Sequence, residues 1–261
     1  MGEESADRLW MEGDGAFFID LDGTLVEIVG HPEHAELTPA ARGTLERLWA
    51  RAGGAVALIS GRSIASVDRI VAPLRLPVAG IHGAERRDAA GGLHRAPPVG
   101  EEQIACARWE LGRIASTEPG VLLEDNGDAL AVHYRGAPAL EEELRGVVER
   151  LAAASGGTLE VQPGKCVVEL RPAGHDKGGA VRAFMAEAPF AGRRPVFLGD
   201  DLTDEAGFLA VQAMGGAGIK VGAGPTEAAW RLPDPEAVVA WFNGQRSAYR
   251  EGAEGGVTGK G

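Results

Sequence analysis

The sequence predicts an α/β fold, in which a parallel sheet is covered by helices and interrupted by an inserted α+β domain. Short apolar runs alternate with helical patterns, which is typical of parallel strands buried on both faces. The clearest runs are Ala16–Asp20, Ala55–Ser60, Pro195–Asp200 and Ala217–Val221. Three of these runs end in a polar residue. Because open α/β sheets bind ligands at the carboxyl ends of their strands, these polar ends predict a functional site at that edge.

The first helix is predicted between the first two of these strands. Thr38 suits the N-cap because its hydroxyl can accept a backbone N–H, and Pro39 suits the first helical position. The helix is expected to run to about Ala52, where Gly53 and Gly54 end it. A strand, a helix and a further strand in this order are typical of a Rossmann-like sheet.

The middle of the chain has a different pattern, a helix followed by two strands, repeated once. The expected helices and strands cover 101–116, 121–124, 129–134, 139–154, 158–161 and 166–170. Turn signals join each strand pair, Asp125-Asn126-Gly127 in the first and Gln162-Pro163-Gly164 in the second. Two such units predict a small antiparallel sheet backed by helices, which we call the cap domain. The predicted division is 1–98 and 172–248 for the core, 99–171 for the cap, and 249–261 for a flexible Gly-rich tail.

Composition and charge exclude several classes of function. The chain has 261 residues, 44% of them hydrophobic, which is enough for a globular core with one insertion. Its net charge of −12 argues against nucleic acid and acidic membranes as partners. Cys106 and Cys166 form no CxxC pair, and we expect a reducing, cytoplasmic location. Neither a signal peptide nor a membrane span is expected, because the N-terminus is acidic and apolar runs are short.

The strongest chemical signal is the segment Asp20-Leu21-Asp22-Gly23-Thr24, directly after an apolar run. Two carboxylates two residues apart at a strand end can serve one site, one as nucleophile and one as proton carrier. A carboxylate that attacks a phosphoryl group needs a cation, because both groups are anionic. The sequence therefore predicts phosphoryl chemistry assisted by Mg²⁺.

A second acidic cluster, Gly199–Glu205, follows a later strand and supplies ligands for that cation. Ser60-Gly61-Arg62 follows the second strand, where a hydroxyl and backbone N–H groups can hold a phosphate oxygen. Lys177 opens a predicted helix, and its ammonium can neutralise phosphoryl charge. The candidate catalytic residues are Asp20, Asp22, Thr24, Ser60, Lys177 and Asp204. The candidate metal ligands are Asp20, Asp22, Asp200 and Asp201.

Taken together and in this order, these residues resemble the four motifs of the haloacid-dehalogenase superfamily of phosphotransferases. The resemblance implies a Rossmann-like core, a Mg²⁺ cofactor and an aspartyl-phosphate intermediate on Asp20. It also implies that Asp22 protonates the leaving oxygen and then deprotonates the water that hydrolyses the intermediate. The long interval between Arg62 and Lys177 resembles the position of the larger cap in the sugar phosphatases of that superfamily.

Local sequences from about Phe17 to Phe242 are similar to those of trehalose-6-phosphate phosphatases. The similar segments are 60–62, 67–68, 77–85, 130–135, 163–172 and 199–205. The resemblance implies hydrolysis of trehalose 6-phosphate, a small-molecule sugar phosphate that a separate synthase would supply. It implies as substrate contacts Gly61, Arg62, His82, Glu85, Glu124, Arg135, Lys165 and Glu169. Asn126 stands where that family commonly has a lysine.

Three alternatives remain open at this point. The substrate can be another sugar phosphate, such as sucrose 6-phosphate or mannosyl-3-phosphoglycerate. The chain can be a phosphomutase, which returns the phosphoryl group to a sugar and so releases no net phosphate. It can also be a catalytically silent phosphosugar-binding module. His133 is compatible with either a packing role or a role in the site.

Overall fold

The chain forms one large sheet and one small sheet, each with its own hydrophobic core. The structure is a computed structural model that describes residues 14–29, 31–245 and 247–250. The strands are β1 (Gly15–Ile19), β2 (Val56–Ile59), β3 (Val78–Gly80), β4 (Glu85–Arg87), β5 (Leu93–Arg95), β6 (Leu122–Asp125), β7 (Leu130–His133), β8 (Leu159–Gly164), β9 (Val167–Pro172), β10 (Arg194–Gly199), β11 (Ala217–Val221), β12 (Trp230–Leu232) and β13 (Tyr249–Arg250). The α-helices are α1 (Pro39–Arg51), α2 (Ile64–Val71), α3 (Glu101–Thr117), α4 (Glu141–Ala154), α5 (Lys177–Met185), α6 (Glu205–Ala213) and α7 (Pro235–Phe242).

The core sheet has the strand order β13-β12-β11-β10-β1-β2-β3-β4-β5. Neighbours from β12 to β3 are parallel, and the strands at both edges are antiparallel. In the middle of the sheet, β1 lies between β10 and β2, with Phe18 opposite both Phe197 and Ala57. The carboxyl ends of these three strands are therefore adjacent, which brings the segments after them to one edge. The predicted α/β fold is confirmed.

The central strand is apolar throughout because helices cover both of its faces. Every residue of β1 is buried, and successive side chains point to opposite faces. Phe17 packs edge-on against Phe242 of α7, whereas Phe18 stacks on Phe190 on the opposite side of the sheet. Burial of each phenylalanine stabilises the fold by about 1.5–3 kcal/mol relative to an exposed side chain. The continuous apolar runs of the sequence reflect this two-sided burial.

The first helix begins and ends where the sequence predicts. The Thr38 hydroxyl accepts the N–H of Ala41 at 3.1 Å, and Pro39 is the first residue of α1. After Ala52 the chain turns through Gly53 and Gly54, both at positive φ, which ends the helix before β2.

The cap domain contains the predicted helix and strand pairs, in the predicted order. Its antiparallel sheet has the order β6-β7-β9-β8, and α3 and α4 pack on it through a core of aliphatic residues. The predicted turn at 162–164 is wrong, because β8 continues to Gly164 and the chain reverses at Lys165 and Cys166. Pro163 is accommodated because β8 is an edge strand, where a missing N–H removes no bond to a second neighbour.

The edges of the core sheet were not predicted. The strands β4 and β5 form a hairpin of mostly charged residues with no apolar pattern. From the predicted tail, residues 249–250 pair with β12 as β13, and residues 251–261 lie outside the described residues. No helix in the described part of the chain has the length and apolar character that a membrane span requires.

Candidate active site

A cavity lies between the carboxyl edge of the core sheet and the cap sheet. It gathers residues from distant parts of the sequence, including most of the predicted site. The predicted residues that line it are Asp20, Asp22, Ser60, Gly61, Arg62, His82, Glu124, Arg135, Lys165, Glu169, Lys177, Asp200 and Asp201. The remaining three, Thr24, Glu85 and Asp204, lie outside its lining.

Lys177 is the buried cation of the site. It is the first residue of α5, whose N-cap is Asp176, and its side chain is only 3% exposed. Its ammonium donates to Asp20 Oδ1 at 2.8 Å and to Asp204 Oδ1 at 2.6 Å. Burial opposes its charge, but the two carboxylates prevail and raise the pKa of Lys177. The ammonium therefore stays charged at neutral pH and joins the segments after β1 and β10.

Asp204 anchors the acidic segment and does not face the cavity. It is fully buried, and its second oxygen accepts the N–H groups of Asp200 and Asp201 at 2.9 Å each. With Lys177 on the other oxygen, this carboxylate accepts three hydrogen bonds, and both of its oxygens are engaged. Asp204 therefore fixes the backbone that presents Asp200 and Asp201, a role closer to positioning than to direct catalysis.

Three carboxylates form a compact acidic group. Oxygen atoms of Asp20, Asp200 and Asp204 lie within 4.8 Å of one another. Burial raises the pKa of Asp20 well above its usual range, with Asp204 and Asp200 adding to the effect and Lys177 opposing it. Burial and the Asp204 charge raise the pKa of Asp200 to about 7. When all three are ionised, these carboxylates carry more negative charge than Lys177 balances, and their donor atoms are all oxygen, which fits a magnesium ion.

Gly23 allows Asp200 to approach the segment after β1. Its φ of +79° lies in the left-handed region, and a Cβ atom there would lie 2.2 Å from Asp200 Oδ2. The Asp200 carboxylate therefore packs directly on the Gly23 backbone, beside Asp20. Only glycine combines a positive φ with the absence of a Cβ atom. The close approach of Asp200 therefore explains why a glycine occupies this position of the motif.

Asp22 is held by an arginine from the segment after β2. Arg62 donates from Nε and Nη2 to the two oxygens of Asp22, both at 2.7 Å, in a bidentate ion pair. The backbone N–H of Arg62 is itself bound to Ser60 Oγ at 3.1 Å. The guanidinium also lies 4.0 Å from Glu124 of the cap. Arg62 thus connects the core motif to the cap domain.

Two part-buried histidine–carboxylate contacts line the cap side of the cavity. His82 Nε2 lies 2.7 Å from Glu169 Oε2, and His133 Nε2 lies 2.9 Å from Glu124 Oε2. Burial would raise the pKa of both glutamates, but their histidine partners, with Arg171 beside Glu169 and Arg62 beside Glu124, lower it. Both carboxylates are therefore ionised acceptors. Because His82 belongs to the core, its contact with Glu169 also spans the cleft.

The other predicted residues lie at the rim or outside the cavity. Arg135 donates to the Lys165 carbonyl at 3.4 Å, and both side chains border the opening. Glu85 instead accepts the N–H of Ile64 at 2.5 Å, at the start of α2. Thr24 is fully buried, and its hydroxyl has no hydrogen-bond partner among the described residues. Glu85 and Thr24 therefore lie outside the cavity lining.

Several cavity residues are not among the predicted site residues, namely Ile28, Val29, Pro32, Ala131, Val167, Thr203 and Asn126, the last noted only as standing where the family commonly has a lysine. Some of them were detectable, because alternate residues of a strand share a face. Val167 is two residues from Glu169 in β9, and Asn126, just past the end of β6, is two residues from Glu124. Asn126 also accepts the N–H of Ser63 at 3.3 Å, which links the cap to the core. Ile28 and Val29 lie on an irregular segment and Pro32 begins a short 3-10 helix, neither of which carries such a periodic signal.

The sequence matches the trehalose-phosphatase family model over residues 18–236. It is 44% identical over 241 residues to a trehalose-6-phosphate phosphatase of Escherichia coli (strain K12), covering 92% of this chain and 89% of the relative. It is 40% identical over 241 residues to a probable trehalose-phosphate phosphatase of Sinorhizobium fredii (strain NBRC 101917 / NGR234), covering 91% and 90%.

Solved structures show the same fold at lower identity. The C-terminal domain of a C. albicans trehalose-6-phosphate phosphatase superposes with a TM-score of 0.79 at 21% identity, covering 92% of this chain and 94% of that one. A haloacid dehalogenase-like hydrolase from Bacteroides thetaiotaomicron superposes with a TM-score of 0.64 at 16% identity, covering 87% and 97%. Both similarities concern the arrangement of the core and cap.

Proposed function

The chain belongs to the trehalose-phosphatase family, and we propose that it hydrolyses trehalose 6-phosphate to trehalose and phosphate, with Mg²⁺ and through an aspartyl-phosphate on Asp20. The observation that carries this proposal is the convergence of Asp20, Asp22, Lys177 and Asp200 on one cavity beneath the cap. Such a cavity combines a nucleophile, a proton carrier and a cation site in one cleft.

Asp20 is the nucleophile of the proposed reaction. Lys177 binds Oδ1 of Asp20, so Oδ2 is the oxygen available to attack phosphorus. In this step the bond between Oδ2 and phosphorus forms, and the bond between phosphorus and the sugar oxygen breaks. When bound, Mg²⁺ supplies positive charge that reduces the repulsion between the carboxylate and the phosphate. Asp20 and Asp200 would hold it, with Asp204 fixing them from behind.

Asp22 handles the proton in both steps. In the first step it gives a proton to the leaving sugar oxygen, and in the second it takes a proton from the water that attacks the aspartyl-phosphate. Both of its oxygens accept from Arg62, so one of these bonds must open before Asp22 can carry a proton. The displaced guanidinium has Glu124 as a nearby partner at 4.0 Å.

The cap supplies acceptors that suit a polyhydroxylated substrate. Glu124 and Glu169 are ionised and face the cavity, and each is oriented by a histidine. Carboxylates held in this way accept hydrogen bonds from sugar hydroxyls, and a lid that carries them excludes water from the reacting phosphate. We further propose a cytoplasmic enzyme that receives its substrate from a separate trehalose-6-phosphate synthase, in keeping with its two unpaired cysteines.

A phosphate-release assay tests the proposal. Purified protein is incubated with trehalose 6-phosphate, sucrose 6-phosphate or mannosyl-3-phosphoglycerate, with added Mg²⁺ or with EDTA. We expect trehalose 6-phosphate to have the highest kcat/KM, EDTA to stop turnover and Mg²⁺ to restore it. Negligible release from trehalose 6-phosphate beside strong release from another ester would refute the substrate. Formation of a phosphosugar isomer without net phosphate would instead identify a phosphomutase.

A further inference from the structure

A second buried lysine lies beside the acidic group, and the reaction described above does not use it. Lys220 belongs to β11, whose five residues are all buried, and its side chain is 4% exposed. In the described ranges of the chain, no carboxylate oxygen lies within 4.0 Å of the Lys220 ammonium nitrogen, so this ammonium forms no ion pair there. Because a buried ammonium without a carboxylate partner is costly, packing alone does not explain this residue.

The partner of Lys220 is the backbone of the acidic segment. Its ammonium donates to the carbonyl oxygen of Asp200. The parallel pairing of β10 and β11 places Lys220 opposite Gly199, at the point where β10 ends and the acidic segment begins. The long side chain therefore bridges from a rigid central strand to the residue that follows the neighbouring strand.

Asp200 is consequently held at three points. Its N–H donates to Asp204 Oδ2 at 2.9 Å, its carbonyl accepts from Lys220, and its carboxylate packs on Gly23. With the backbone fixed on both sides of the Cα atom, few directions remain for the side chain. The side chain faces Asp20, with which Asp200 shares the close group of carboxylate oxygens.

We propose that Lys220 is a positioning residue that holds the Asp200 carbonyl and thereby aims the Asp200 carboxylate at the divalent cation. The inference rests on the proposed function, in which Asp20 and Asp200 hold Mg²⁺. Two effects of the ammonium oppose each other here. Its charge repels a cation, whereas its hydrogen bond orders a ligand. A positioning role requires the second effect to dominate, so loss of Lys220 must weaken cation binding.

The experiment measures binding of Mn²⁺ alone to the metal-free full chain by electron paramagnetic resonance. Lys220→Met removes the donor and keeps the apolar stem, and we expect the dissociation constant to rise about tenfold. Lys220→Gln is used in parallel, because its shorter amide does not span the same distance and the variant stays polar. Lys220→Arg keeps a charged donor of similar reach and is expected to recover most of the affinity.

Arg231 provides a matched control. It lies opposite Lys220 on β12, is 7% exposed, and donates to the Gly224 carbonyl at 2.8 Å and to the Gly222 carbonyl. Arg231→Met removes a buried cation from the neighbouring strand without touching the Asp200 carbonyl. We expect its Mn²⁺ dissociation constant to match that of the wild type, even if its melting temperature falls.

The outcomes separate this proposal from the proposed function. Wild-type protein that binds no Mn²⁺ would overturn the cation site and, with it, this inference. Unchanged or tighter binding in Lys220→Met or Lys220→Gln would overturn the positioning role alone. Equal weakening in Arg231→Met would also overturn it, because the effect would then follow from any loss of buried charge nearby. Variants are compared only where circular dichroism shows a folded chain, so the milder Lys220→Gln decides if Lys220→Met does not fold.

Discussion

Replacement of Asp20 by asparagine should remove catalysis without loss of stability. At an effective dielectric constant of about 20, the attraction between Asp20 and Lys177 at 2.8 Å is about 6 kcal/mol. On the same scale, repulsion from each of Asp200 and Asp204, within 4.8 Å, is at least about 3.5 kcal/mol. The two repulsions offset the attraction, which leaves the burial of the Asp20 charge as the residual cost. Asparagine keeps the shape and the acceptor for Lys177 and removes that cost.

The assay compares wild type and Asp20→Asn at pH 8, where Asp200 is ionised. We expect phosphate release from trehalose 6-phosphate to fall by at least about four orders of magnitude, because the nucleophile is gone. The melting temperature of the metal-free variant should lie no more than about 3 °C below that of the wild type, which is about 1 kcal/mol on a scale of about 2–4 °C per kcal/mol. Lys177→Met is the converse variant, because it leaves two buried carboxylates without a cation. It should lower the free energy of unfolding by about 3–5 kcal/mol. Activity above a few per cent in Asp20→Asn would refute the covalent route, and a large drop in its melting temperature would refute the charge balance.

Four further predictions concern the cation site and the cap. Because the pKa of Asp200 is raised to about 7, Mn²⁺ affinity measured by paramagnetic resonance should rise about tenfold from pH 6 to pH 8, as this carboxyl loses its proton. For the same reason the metal-free fold should lose stability as the pH rises from 3.8, the usual pKa of an aspartate, through 7. The folded state binds this proton more tightly than the unfolded state does. Asp200→Asn removes the titrating group, so its melting temperature should decline less over this pH range. Gly23→Ala should weaken Mn²⁺ binding at least about tenfold, since its Cβ would displace Asp200, whereas Gly91→Ala, at φ +88° with open space around it, should strain the backbone and leave binding unchanged. Glu169→Gln should lower kcat/KM about ten- to hundredfold for trehalose 6-phosphate but little for p-nitrophenyl phosphate, and equal losses on both esters would contradict a role in sugar recognition.

The core of the site could be predicted because each motif follows a buried parallel strand. Asp20, Ser60 and Asp200 lie at the ends of β1, β2 and β10, and parallel pairing brings those ends to one edge. This inference needs only the apolar runs and the polar residue after each of them. Lys177 was found by its place at a helix start, but its two carboxylate partners follow from the fold alone.

The division of roles among the acidic residues could not be predicted in the same way. The sequence assigns Asp200 and Asp201 to the metal and Asp204 to catalysis, but nothing in it shows that Asp204 lies outside the cavity lining. Their difference arises from a short helical turn, which buries Asp204 against two backbone N–H groups and leaves Asp200 beside Asp20. The contact between Lys220 and the Asp200 carbonyl could not be predicted from the sequence for a related reason. It stands in an apolar run that predicts a strand, and a strand pattern does not show which backbone carbonyl a long side chain reaches.

The charge balance of the cavity indicates how an acidic protein can bind an anionic substrate. Four cationic side chains line the cavity, Arg62, Arg135, Lys165 and Lys177, against six acidic ones, Asp20, Asp22, Glu124, Glu169, Asp200 and Asp201. Arg62 and Lys177 are already engaged with Asp22 and with Asp20 and Asp204. The protein alone therefore offers a phosphate group little net attraction. A divalent cation among these carboxylates reverses the local sign, so cation and substrate should each strengthen the binding of the other, as linkage between two sites requires. Burial of Asp20 and Asp200 serves this end, because a low local dielectric makes the excess negative charge a strong attraction for the cation.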